Sequence, residues 1–320
     1  MRSSFISGRR DKTPVEKWKP LLQKISAKVW VQAGLVFILA LLPRLIAFYP
    51  PVHHNEFYYV LVSRNLLLSL MEMVKSPLTS MGVFRGVTLT WESAALLYLR
   101  FWLHITHIWP SSLSAATSLQ QFAVLEAHPI EILMTMRLST VLTTAAGTAL
   151  VYALSQRLWG WRSAALVTAF VSLDPFFLGF SRLLNTDGHV ATWTGVALLA
   201  FLVYLQRGGH RLAGLTALAT ALALLSKPSA ILLVGFLPLA AIGYGLAIGG
   251  ARREGARRAL WGALVIAGVA LLWQVVTWLT GQGEDFLTAL RSTLGGYAAN
   301  PGELKFLLGK TSLSPAWTFY

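Results

Sequence analysis

Starting at Leu173 the chain reads LDPFFLGFSRLLNTDGHVATW, followed by an apolar run and then LLSKPS. Arg182, Asp187 and Lys227 stand there at the ends of stretches apolar enough to cross a bilayer. Glu56 and Arg44 stand near the end of an earlier stretch. Charge is costly at membrane depth, so ionisable groups there are functional candidates by default. Acids and bases gathered at one depth suit a reaction in which a carboxylate takes a proton and cations hold a phosphate. Arg and Lys stabilise the charge that develops as a phosphate leaves.

Each residue also has a structural reading. Glu56 reads as a solvated loop acid, and Arg182 as a side chain reaching for headgroups. Asp187, followed by Gly188, reads as the N-cap of a helix starting at His189. Lys227 before Pro228 resists such a reading, because it breaks the charge rule that the loops obey. His53 and His54 beside Glu56 leave a divalent cation as one reading and plain loop residues as the other. Asp174-Pro175 reads as a helix-terminal turn.

The composition decides what carries these groups. The 320 residues are 55% hydrophobic and 12% charged, the balance of an all-α polytopic membrane protein. The net charge of +14 is positive charge held on the cytoplasmic side, with no nucleic-acid partner implied. Cysteine is absent, which excludes disulfide and thiolate chemistry. The polar, basic N-terminus lacks the features of a cleavable signal.

Seven stretches are expected to span: Val29–Tyr49, Ile130–Leu154, Ser163–Phe180, His189–Gln206, Leu212–Ser226, Ser229–Ile248 and Ala259–Thr280. An eighth, Trp91–Trp109, is expected to lie in the interface. Ser93, Arg100, His104 and His107 fall within roughly 60° of one another on a helical wheel, opposite Trp91, Tyr98, Trp102, Ile105 and Trp109. The alternative is a spanning helix with its polar stripe turned into the bundle.

Loop charge favours the interfacial reading. With a cytoplasmic N-terminus, the pieces Met1–Lys28, Ser155–Arg162, Arg207–Arg211 and Ala251–Arg258 carry sixteen of the 27 Lys and Arg and three acids, a net +13. The remainder carries +1. The expected organisation is a basic tail over residues 1–28 and one membrane domain over 29–320. Its outer loops cover residues 50–129 and run from about 281. The segments around Lys227-Pro228 read as two helices, with one Pro-kinked helix as the alternative. This topology puts Glu56, Arg182, Asp187, Lys227 and Arg44 on the same outer face.

The stretch from Met136 to Asp187 resembles the core of the GT-C glycosyltransferases, in particular protein O-mannosyltransferases and bacterial lipid-A aminoarabinose transferases. The resemblance rests on Arg137-Leu138, Arg157-Leu158-Trp159-Gly160, Ser181-Arg182 and Asp187, in that order, then Ser226-Lys227-Pro228. RGVTLTW, Arg85 to Trp91, is similar to a His-Pro-Gly-Val-Thr-Thr-Met-Trp stretch of some bacterial members.

The resemblance implies a GT-C-like helical bundle and an inverting transfer of sugar from a polyprenyl-phosphate donor. The acceptor would be a lipid, glycan or protein on the extracytoplasmic side of the plasma membrane. It implies Glu56 or Asp187 as the group that orients or deprotonates the acceptor, and Arg182, Lys227 and Arg44 as phosphate contacts. Two departures fall in the first outer loop. The family's Asp-Glu pair, whose Asp is the expected base, is Asn55-Glu56 here, and an amide cannot take a proton as a carboxylate does. Phe84-Arg85 replace the His of the second motif. A non-catalytic scaffold or subunit of a membrane complex is therefore the rival expectation. A transporter is disfavoured because no paired broken-helix halves are found. The end, GKTSLSPAWTFY, resembles a loop that leads into further helices in longer members, so the chain reads as a fragment or a shortened relative.

Overall fold

The computed structural model describes residues 29–46, 54–72, 86–108, 129–247, 261–262, 268, 272, 304–307 and 310–313. The basic tail, most of the expected span Ala259–Thr280, and much of both expected outer loops lie outside the described residues.

Eight α-helices are described: α1 Val29–Leu45, α2 His54–Glu72, α3 Val87–Ile105, α4 Pro129–Leu173, α5 Pro175–Phe180, α6 Thr186–Arg207, α7 His210–Ser226 and α8 Ile231–Ala247. Two short strands, β1 Leu304–Leu307 and β2 Lys310–Leu313, pair antiparallel with Leu304 opposite Leu313.

α4 organises the rest. Gly160, at φ 81° and ψ 170°, is a break that an L side chain rarely accommodates, and the helix folds back on itself there. The first arm, residues 129–159, therefore runs against the second, 161–173. Val167 of the second arm packs on the core around Val151 of the first. At about 1.5 Å per residue the first arm is roughly 46 Å long, more than the ~30 Å of a hydrocarbon layer.

Its two halves take different partners. The later half runs antiparallel to α1, with Arg44 on Thr144 and Gln32 on Tyr152 and Gln156. The earlier half runs antiparallel to α3, with Glu92 on Thr143, Ser93 on Ser139 and Arg100 on Glu131. α3 thus starts along the arm where α1 ends.

This corrects one part of the expectation for the helix at Trp91–Trp109, the outward direction of its polar stripe. Three of its four stripe residues do not face water; the fourth, His107, lies past the end of α3 and is exposed. Ser93, Arg100 and His104 are buried against the bundle, while Trp91, Trp102 and Ile105 are exposed. The reason is local: Ser93 shares a 3.0 Å hydrogen bond with Ser139, and Arg100 pairs with Glu131 at 2.9 Å. The stripe finds its partners inside the protein, so it has no need of solvent.

α6 runs parallel to the first arm of α4. The fit is close at Gly147, where even a methyl group would stand 2.0 Å from Thr192 Cγ2. Small residues line the helix contacts, among them Ala197 and Ala200 of α6 and Ala219 and Ala223 of α7, all fully buried. Such residues let helix backbones approach where apolar burial alone gives little net attraction. The outer faces are apolar instead: Leu39, Phe170, Leu232 and Leu239 are largely exposed.

Among the described residues, α4 and α6 are long and apolar enough to cross a membrane, judged by length and composition. α1, α7 and residues Ile231–Tyr244 of α8 are shorter apolar helices. The described helices thus coincide with six of the seven expected stretches, the two arms of α4 taking two of them. Around Lys227 the chain makes two helices: α7 ends at Ser226, Lys227 is extended, and a 3-10 turn Pro228–Ala230 leads into α8.

Candidate functional site

The turn between α5 and α6 is where the chemistry gathers. Residues 182–189 make polar contacts with α1, α2, α3 and the residue that follows α7. Pro175 at N1 and Asp174, whose Oδ1 accepts from Phe177 N at 2.6 Å, start α5. Asp174 is thus the turn residue the sequence suggests. Asn185 is the N-cap of α6, its Oδ1 accepting from Asp187 N at 3.2 Å. The cap is therefore not Asp187, which lies in the first helical turn with its side chain left for other work.

Asp187 Oδ1 accepts from Lys227 Nζ at 2.5 Å. The two side chains are 38% and 31% exposed, so the pair is open to an incoming group. Lys227 is held out by its extended backbone between α7 and the 3-10 turn.

Arg182 reaches the end of α1, where its Nη2 donates to the carbonyl of Pro43 at 2.8 Å. The residue after Pro43, Arg44, is fully buried, donates from Nη1 to Ala40 O at 2.6 Å and from Nε to Thr144 Oγ1, and lies 5.2 Å from the ring centre of Phe177. Arg44 Nη2 and Arg182 Nε are buried N–H donors with no hydrogen-bond partner among the described residues. A buried donor left unpaired is costly, so two from adjoining guanidiniums are an opening for an anion.

Glu56 behaves differently from the expectation. It is fully buried, and both oxygens are engaged. Arg137 Nε donates to Oε1 at 2.7 Å, Arg137 Nη2 to Oε2 at 2.6 Å, and Leu184 N to Oε1 at 2.8 Å. A carboxylate held on both oxygens inside the core cannot meet an acceptor, so its placement as a reacting acid is corrected to that of a tie between α2, α4 and the 182–189 turn. Asn55 is helical, one residue before Glu56. His53 and the side chains of His54 and Asn55 lie outside the described residues. Among the described residues no three His, Asp or Glu side chains converge as a metal site.

A fourth cluster is not among the sequence-based expectations. Glu92 of α3 accepts from Thr143 Oγ1 at 2.6 Å and shares a 2.9 Å hydrogen bond with His189 Nε2. The imidazole is fully buried, whereas the carboxylate side chain is 27% exposed. A signal for it exists in the sequence: Glu92 is the sole acid in Val87–Ile105, directly after the RGVTLTW segment. On a helical wheel it falls about 100° from Ser93, off the stripe that Ser93 shares with the bases.

The structure therefore brings Arg44 beside Arg182, joins Asp187 to Lys227, and ties Glu56 into the core. The family model described as dolichyl-phosphate-mannose-protein mannosyltransferase matches residues 132–278. That span contains Arg137, Arg182, Asp187, His189 and Lys227, and leaves out α1 to α3. No curated protein and no solved structure matches the chain.

Proposed function

We propose, on the strength of the match over residues 132–278, that the chain is a GT-C glycosyltransferase that moves a sugar from a polyprenyl-phosphate donor to an acceptor hydroxyl or amine on the extracytoplasmic side of the cell membrane. The observation that carries the reading is the pair of guanidiniums, Arg44 and Arg182, with buried donors unused among the described residues. Arg182 stands five residues before Asp187 on the same turn, and Asp187 holds Lys227. The donor phosphate takes the free donors and draws on Lys227 as it departs with negative charge. Asp187 releases that cation to the phosphate and orients the acceptor. Glu56 positions the turn through Leu184. The partners are a lipid-linked sugar and a lipid, glycan or protein acceptor.

The test is a transfer assay on the purified chain with a polyprenyl-phosphate mannose. Lys227→Ala is expected to weaken donor use by roughly 10- to 100-fold, the scale of one hydrogen bond to a charged group, with Lys227→Arg retaining part of it. Unchanged transfer in both Lys227→Ala and Asp187→Ala would sink the assignment.

A second reading is a non-catalytic family member serving as a scaffold in a membrane complex. Asn55 favours it, because it replaces the carboxylate expected as base while Glu56 is closed off. Asn55→Asp separates the two: raised transfer supports the enzyme, and absent transfer in both forms supports the scaffold.

A further inference from the structure

We propose that Glu92, oriented by His189 and Thr143, takes the proton from the acceptor, filling the role left open by Asn55. The proposal rests on the transferase reading above. Glu92 has the geometry a proton acceptor needs. Its Oε2 is fixed from two sides, by Thr143 at 2.6 Å and His189 at 2.9 Å. Its Oε1 has no hydrogen-bond partner among the described residues, and the side chain reaches the surface. His189 is sealed in the core, so it does not meet substrate; its work is to hold the carboxylate.

The placement suits the reaction. His189 is two residues beyond Asp187 on the first turn of α6. The start of α3 is tied to the end of α7 beside Lys227, through Gly86 N on Ser226 O at 3.0 Å and Thr88 Oγ1 on Leu222 O at 3.1 Å.

In the step, the acceptor O–H or N–H gives its proton to Glu92 Oε1. The freed electron pair attacks the anomeric carbon of the sugar from the face opposite the phosphate. The bond from that carbon to the phosphate oxygen breaks, and the oxygen keeps its electron pair as polyprenyl phosphate, held by Lys227 and the two arginines. Glu92 then passes its proton to water.

The test uses the full chain, a synthetic polyprenyl-phosphate mannose, and two acceptors of similar size and different acidity, ethanol and trifluoroethanol. Glu92→Gln is expected to lower kcat about 100-fold or more, within the usual range for general-base removal, with the donor Kd changed less than about threefold. The loss should be smaller with trifluoroethanol, which needs less help to lose its proton, and Glu92→Asp should recover part of the rate. A kcat within about threefold of wild type, or an equal loss with both alcohols, overturns the proposal and leaves the transferase reading standing. Absence of transfer by the wild-type chain overturns both.

Discussion

Replacing Glu56 separates a positioning role from a chemical one. Glu56→Ala leaves the Arg137 guanidinium fully buried without its counter-ion and strips the Leu184 amide of its acceptor. Breaking one side of a buried ion pair costs about 3–5 kcal/mol. The orphaned amide adds roughly 1–3 kcal/mol. Glu56→Gln keeps an oxygen for Leu184 and still loses the charge, so about 3–5 kcal/mol is expected there. At about 2 °C per kcal/mol for a large chain, this is a fall of roughly 6–10 °C in apparent melting temperature. The measurement is thermal unfolding of the purified chain in one detergent, beside the transfer assay. Because an isolated charge is the problem, Glu56→Gln with Arg137→Met should recover most of the loss. The refuting result is a Glu56→Gln protein that melts with the wild type and has lost transfer. That outcome would return Glu56 to the reacting groups.

Other outcomes follow from the packing. Gly147→Ala puts a methyl 2.0 Å from Thr192 Cγ2 and should cost about 1–3 kcal/mol in the same melting assay. Adding Thr192→Ser removes the clashing methyl and keeps the hydroxyl that bonds Gly188 O, so it should restore much of the loss. Gly160→Ala meets open space and costs only its backbone conformation, positive φ with extended ψ, about 1–3 kcal/mol by thermal unfolding. A larger loss would mean that the bend is packed rather than merely permitted.

Much of the bundle is legible in the sequence because long apolar runs are a strong signal. The runs around Gly160, Gly208 and Lys227 break where the helices break. The inward stripe of α3 is not legible, since a helical wheel shows which residues share a face and not what that face meets. Ser139 and Glu131, its partners, lie about 30 to 45 residues away along the chain. For the same reason the sequence marks Glu56 as an acid near a helix end without showing Arg137 closing on it from 81 residues away. Arg182, Asp187 and Lys227 are readable from charge placement alone. Glu92 is readable as a lone acid, but its importance comes from His189, 97 residues on.

The first arm of α4 has neighbouring residues facing different partners, Thr143 toward Glu92 and Thr144 toward Arg44. Successive residues on a helix point about 100° apart, and that offset alone distributes the two contacts. The arm is therefore sensitive to phase. A single residue inserted between Thr143 and Thr144 would turn the half that carries Ser139 by about 100° against the half that meets Arg44. The α1 and α3 registers would then come uncoupled from each other. An insertion of seven residues would bring the faces back to within about 20°, though displaced along the axis. Loops between helices absorb changes of length freely, whereas this segment admits them only in steps that keep both faces in register.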